Sequence, residues 1–200
     1  MEAPDNHNPI HRISVEAFHR LIAAGIFDSG DRVELIDGEM RDMPPIGPDH
    51  GSSTDRLNEI FTPALAGKAI VRVQGAVVLD DATELYPDLC VLRLREDRYR
   101  TTNPAGDDVL LLIEVAASSL RLDRTVKLAK YARAGVRRYW IVDLVNRALH
   151  DYQDPDRFQR RYRELESLSS GELAVAIEGT ELRVDVAELL GVEAPRPPAN

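Results

Sequence analysis

The sequence predicts an α/β fold, a mixed β-sheet flanked by helices. Three observations lead there. The run Val109-Leu-Leu-Leu-Ile-Glu-Val-Ala-Ala117 is apolar over the length of a strand, as expected of one buried on both faces. A helical stretch ending at Gly135 and a second apolar strand, Arg138-Tyr-Trp-Ile-Val-Asp143, follow it. Strand, helix and strand over 109–143 make a βαβ unit, whose strands should be parallel with a right-handed crossover. Hairpin signals on either side add antiparallel members.

The elements can be justified in order. Ser14 caps a helix through about Ala24, with Phe18, Leu21 and Ile22 at helical spacing and Gly25 as its stop. Val33-Glu-Leu-Ile-Asp-Gly-Glu-Met40 is a hairpin, because Asp37-Gly38 is a strong two-residue turn signal. A helix is expected over 50–65, with Pro63 ill placed in it. Strands follow at 69–79, 88–94 and 109–116, a helix at 122–134 and a strand at 138–143. A hairpin at 148–153 and 158–162 turns across Asp154-Pro-Asp-Arg157. One or two strands and a terminal helix complete the chain over 173–190.

The chain of 200 residues suits one domain, taken as 14–190, with loose ends at 1–13 and 191–200. Its apolar fraction of 44% and charged fraction of 30% fit a globular protein that is not membrane-bound. No secretory signal is visible at the N-terminus. The single cysteine, Cys90, excludes an intrachain disulfide and a cysteine zinc site, and a cytoplasmic setting is expected. The net charge of −9 argues against a general nucleic-acid binder. The charge is uneven, however. Residues 88–163 carry 16 Lys/Arg against 11 Asp/Glu, and the remainder 9 against 23. The basic part permits a local anionic partner.

Glu114 is the most informative single residue. A lone carboxylate in an apolar strand must be paired, protonated or metal-bound. Pro87-Asp88 opens another apolar stretch, and Lys127 lies on the helix after the Glu114 strand. Two carboxylates on neighbouring strand ends plus a cation are equipment for metal-assisted phosphodiester hydrolysis. Each has a plainer alternative. Asp88 would be a strand-entry aspartate, Glu114 a partner in a structural ion pair, and Lys127 an i,i+4 partner of Asp123. An arginine fork between Asp88 and Glu114 would favour a purely structural site.

Pro87-Asp88, Glu114-Val115 and Asp123…Lys127…Tyr131-Ala-Arg-Ala-Gly-Val136…Tyr139-Trp-Ile-Val-Asp143 together resemble the Uma family of restriction-type endonucleases, within the PD-(D/E)XK nuclease superfamily. Val33-Glu34, Met43-Pro-Pro45, His50, Val73-Gln74 and Leu79 extend the resemblance over about 14–190. The superfamily lysine two residues after the glutamate is missing, that position being Ala116, and Lys127 stands in for it.

The resemblance implies a restriction-endonuclease-like fold and a metal-dependent DNA endonuclease. Asp88, Glu114 and Lys127 would be catalytic. The ion, magnesium or manganese, would be held by Asp88, Glu114, the Val115 carbonyl and Glu34. Glu34 is read equally well as a solvent-facing strand residue. His50 is read first as a helix-entry residue and second as a metal-water or phosphate contact. The rival function is a catalytically silent module that binds nucleic acid or protein. A homodimer suits two-strand cutting, although no interface is legible in the sequence.

Overall fold

A computed structural model of the chain describes residues 10–28 and 30–191. The segments expected to be loose at either end fall mostly on 1–9 and 192–200, outside the described residues.

Helix α1 (Val15–Ala23) starts at Ser14, whose hydroxyl accepts from Ala17 N at 3.2 Å. The hairpin β1 (Val33–Ile36) and β2 (Glu39–Asp42) turns at Asp37 and Gly38, both at positive φ. A Cβ on Gly38 would lie 2.7 Å from Arg12 Cβ and 2.9 Å from Ile13 O, so glycine is required there on two counts. Helix α2 (Pro48–Ala64) begins two residues earlier than expected, with Pro48 in its first turn, where no amide partner is lost. Pro63 falls in its last turn.

The expected strand at 69–79 is two strands in different sheets, β3 (Ala69–Val73) and β4 (Val77–Asp80). Gln74, at φ 50°, and Gly75 break it, while the apolar pattern runs on across the break. A short β5 (Thr83–Leu85) joins β4, followed by β6 (Leu89–Arg93) and β7 (Val109–Ala116). The expected helix at 122–134 is a composite of α3 (Leu120–Leu122), a π turn (Asp123–Lys127) and α4 (Leu128–Ala134), ending on Gly135 at φ 81°.

Strands β8 (Arg138–Asp143), β9 (Ala148–Asp156) and β10 (Arg161–Leu168) follow. The β9–β10 turn comes later than Asp154-Pro155 suggests. Pro155 is tolerated inside β9 because β8 ends its pairing at Gln153, so no neighbour on that side needs its missing N–H. A last hairpin, β11 (Glu172–Ile177) and β12 (Thr180–Asp185), leads into α5 (Val186–Leu189).

The main sheet has six strands in the order β10-β9-β8-β7-β6-β3. Strands β7 and β8 are parallel, as the βαβ reading requires, and their other neighbours are antiparallel. Strands β2-β1-β5-β4 form a second sheet. Each face of the main sheet carries a core. One packs Leu57, Phe61 and Trp140 with the β11–β12 hairpin, and the other packs Cys90, Leu112, Tyr131 and Tyr139. The fold is therefore a mixed α/β fold.

Candidate active site

Alternation along β7 decides where Glu114 points. Leu111, Ile113 and Val115 belong to the Trp140 core, and Leu112 and Ala116 to the tyrosine core. Glu114 shares the parity of Leu112 and Ala116, and Tyr131 OH donates to its Oε1 at 2.7 Å. Strands β6 and β7 are antiparallel neighbours with Leu89 opposite Ile113, so one register step further sets Asp88 beside Glu114. Asp88 Oδ2 accepts from Val115 N at 2.8 Å. Two carboxylates thus share one end of two adjacent strands.

Lys127 closes the group from the helical side. Its Nζ lies 3.2 Å from Glu114 Oε1, 3.2 Å from Glu34 Oε2 and 3.8 Å from Asp123 Oδ1. Lys127 is only 5% exposed, with its ammonium between acids from β1, β7 and its own turn. Lys130, one helical step away, turns elsewhere and pairs with Asp37 and Asp80. Among the described residues no arginine pairs with Asp88 or Glu114.

One ammonium cannot neutralise three buried acids. Burial disfavours the charge of Lys127, but Glu114, Glu34 and Asp123 outweigh it and hold its proton firmly. Burial pushes the Glu114 carboxyl up to about 8, with Asp123 and Asp88 adding to the rise and Lys127 opposing it. Burial likewise raises Asp123 to about 6 against the pull of Lys127. Both Asp123 oxygens and Glu34 Oε2 are buried without a hydrogen-bond partner. The group is a charged lysine amid more acids than it can neutralise, and burial favours the protonated form of Glu114 unless another cation enters.

The carboxylates and Lys127 lie in a cleft of about 350 Å³. The lining takes Met43-Pro-Pro-Ile-Gly-Pro48 from the β2–α2 connection and Leu144 and Val145 from the β8–β9 turn. His50, in the first turn of α2, brings Nε2 to 3.0 Å from Asp88 Oδ2.

The donor chemistry suits a hard divalent cation. Asp88 Oδ1 and Glu114 Oε2 accept no hydrogen bond among the described residues, and both side chains line the cleft. No preassembled group of three or more His, Cys, Asp or Glu occurs among the described residues. Magnesium needs none, since it is held by one or two carboxylates and keeps several waters. Glu34 is not part of the cleft lining and sits behind Lys127.

The structure therefore gathers Asp88, Glu114, Val115 and Lys127 at the cleft, with Glu34 one layer back. It adds His50 as a neighbour of Asp88 and Tyr131 as a donor to Glu114. In the sequence Tyr131 shows as an i,i+4 companion of Lys127 and as a member of the motif that carries the family resemblance. Val145 carried no signal at all.

A family model described as "Uma2: Putative restriction endonuclease" matches residues 15–187. Among solved structures, a "putative nuclease belonging to DUF820" from Anabaena variabilis aligns at 14% identity with a TM-score of 0.66. The alignment covers 90% of this chain and 98% of that one. No curated protein matches the chain.

Proposed function

The chain belongs to the Uma2 family of restriction-endonuclease-type proteins, and on that premise we propose that it is a divalent-metal-dependent nuclease that hydrolyses DNA phosphodiester bonds. One observation supports this above the others: Asp88 and Glu114 meet at the ends of adjacent strands in an open cleft, with Lys127 Nζ 3.2 Å from Glu114 Oε1.

Asp88, Glu114 and the Val115 carbonyl would hold the ion, most simply magnesium, with manganese as a substitute. Bound there, the ion would polarise the phosphate and acidify a water. Hydrolysis joins the water oxygen to phosphorus and breaks one bridging P–O bond. The water proton passes through solvent to the leaving alcohol, and no electrons change hands. The remaining work falls to the chain. The Val115 N–H fixes one oxygen of Asp88, and the Tyr131 hydroxyl fixes one of Glu114. Lys127 keeps its proton, so it serves as a fixed positive charge beside the phosphate and not as a base.

The test is plasmid cleavage by the purified chain with magnesium or manganese, and with a chelator as control. Nicking that needs the metal and is lost in Asp88→Asn supports the reading, and metal-independent or absent nicking removes it. The silent-module reading retains one specific support, the engagement of Lys127 by three acids in the absence of substrate. A cytoplasmic setting accords with the lone, buried Cys90. Among the described residues no helix is long and apolar enough to cross a membrane.

A further inference from the structure

We propose that the DNA strand taken by this cleft is unpaired: single-stranded DNA, or a duplex opened at a bubble, flap or frayed end. This rests on the nuclease reading above and specifies its substrate.

Depth is the first reason. Asp88, Glu114 and Lys127 are 6%, 4% and 5% exposed, so a phosphate reaches them only by passing the rim of the cleft. That rim is apolar. Ile46, 43% exposed, and Val145, 65% exposed, come from two separate loops and both line the opening. The loop bearing Ile46 contains Pro44 and Pro45 and runs into Pro48 of α2, and their fixed φ angles restrict its freedom to swing aside for a broad ligand.

Size is the second reason. A cleft of about 350 Å³ lies at the lower end of small-molecule sites. It admits one nucleotide's base or sugar with its phosphate, whereas a duplex presents the scissile phosphate on a broad convex surface.

Charge is the third reason. Duplex binding draws its affinity from many Lys and Arg contacts to phosphate. The cleft lining has Arg32 and Lys127 against Asp49, Asp88 and Glu114, and Lys127 already faces three carboxylates. About half of the 16 basic residues in 88–163 are held in ion pairs with acids. Arg138 pairs with Asp151, Arg157 with Asp107, and Arg163 with Asp154 and Asp156. An unpaired strand needs less positive charge, because its bases can lie against apolar and aromatic side chains. Ile46, Val145 and Tyr86 supply such surface at this cleft. An unpaired strand also needs one cut, so the duplex argument for a homodimer falls away.

The experiment uses the full chain with magnesium or manganese and end-labelled oligonucleotides of one sequence: single-stranded, fully paired, paired with a central bubble, and paired with a flap. The single strand should be cut about tenfold faster than the paired duplex or more, with cuts in the other two confined to unpaired nucleotides. Equal or faster cutting of the paired duplex overturns this proposal and leaves the nuclease reading standing. No cutting of any substrate overturns both. The double variant Ile46→Ser, Val145→Ser alters only exposed rim side chains. It should raise KM for the single strand about tenfold with kcat retained, and an unchanged KM would remove the rim from the account.

Discussion

Lys127 Nζ sits 3.2 Å from Glu114 Oε1 because the helix between them is widened by a π turn. Leu128 N reaches back to Asp123 O, a five-residue bond in place of the four-residue bond of an α-helix. The extra residue shifts the helix phase by about 100°. Such single π turns are frequent at functional sites. Here the lysine near Glu114 comes from the helix, while the strand position two residues after Glu114 is Ala116.

Lys127→Ala should lower the cleavage rate on the order of 10²–10³-fold, as for loss of one preorganised charge. It should also cost about 3–5 kcal/mol of stability at neutral pH, because the buried acids lose their counter-ion. Lys130→Ala, which breaks only pairs with Asp37 and Asp80, should cleave nearly as well as the parent. Side-by-side rates and melting curves check both, and equal small losses of rate would reduce the two lysines to general attraction of DNA.

Glu114→Gln should abolish metal-dependent cleavage while leaving the folded state intact. The pH dependence of stability provides the sharper measurement. The Glu114 carboxyl is raised by burial from its ordinary 4.5 to about 8, so folding favours its protonated form. That stabilisation is complete below about 4.5 and is lost as pH rises through about 8. The parent should lose stability relative to Glu114→Gln across this window, as followed by denaturant titration at several pH values. A variant that is much less stable at every pH would instead indicate a structural ion pair.

Cleavage should rise with pH below about 8, because a metal ion and a proton compete for Glu114. Higher magnesium should move the rise to lower pH. A pH–rate profile that ignores magnesium concentration would detach Glu114 from metal binding.

Tyr131→Phe removes the hydroxyl that donates to Glu114 Oε1 at 2.7 Å. Since that bond lowers the carboxyl's proton affinity, its loss should move the rising limb of the pH–rate profile to higher pH. The expected cost in stability is about 1–3 kcal/mol. A rate loss without any pH displacement would mean that the tyrosine acts only through packing.

His50→Asn should weaken the metal requirement's midpoint by about 10–100-fold, the usual effect of removing a neighbour of a metal-binding carboxylate. Saturating magnesium should restore most of the rate. Cleavage measured against magnesium concentration decides this, and a rate that stays low at saturation would place His50 in the chemistry itself.

Much of this protein is determined by local pattern. The Asp37-Gly38 turn, the Ser14 cap, the β7–β8 crossover and the improbable position of Glu114 follow from periodicity, turn chemistry and the cost of burying a charge, all of which act over a few residues. Asp88, Glu114 and Lys127 could be named in advance, since a carboxylate in an apolar strand and a lysine on the next helix are visible as letters. What required the tertiary structure is how they meet. Strand parity placed Glu114 against Tyr131, register set Asp88 beside it, and a helix carrying a π turn that α-helical periodicity hides brought Lys127 to Glu114. The contact of His50 with Asp88 and the shared cleft lining of Ile46 and Val145 join segments far apart in the chain. Such contacts are set by how sheets and loops pack, which depends on the whole core and leaves no mark on any short stretch of sequence.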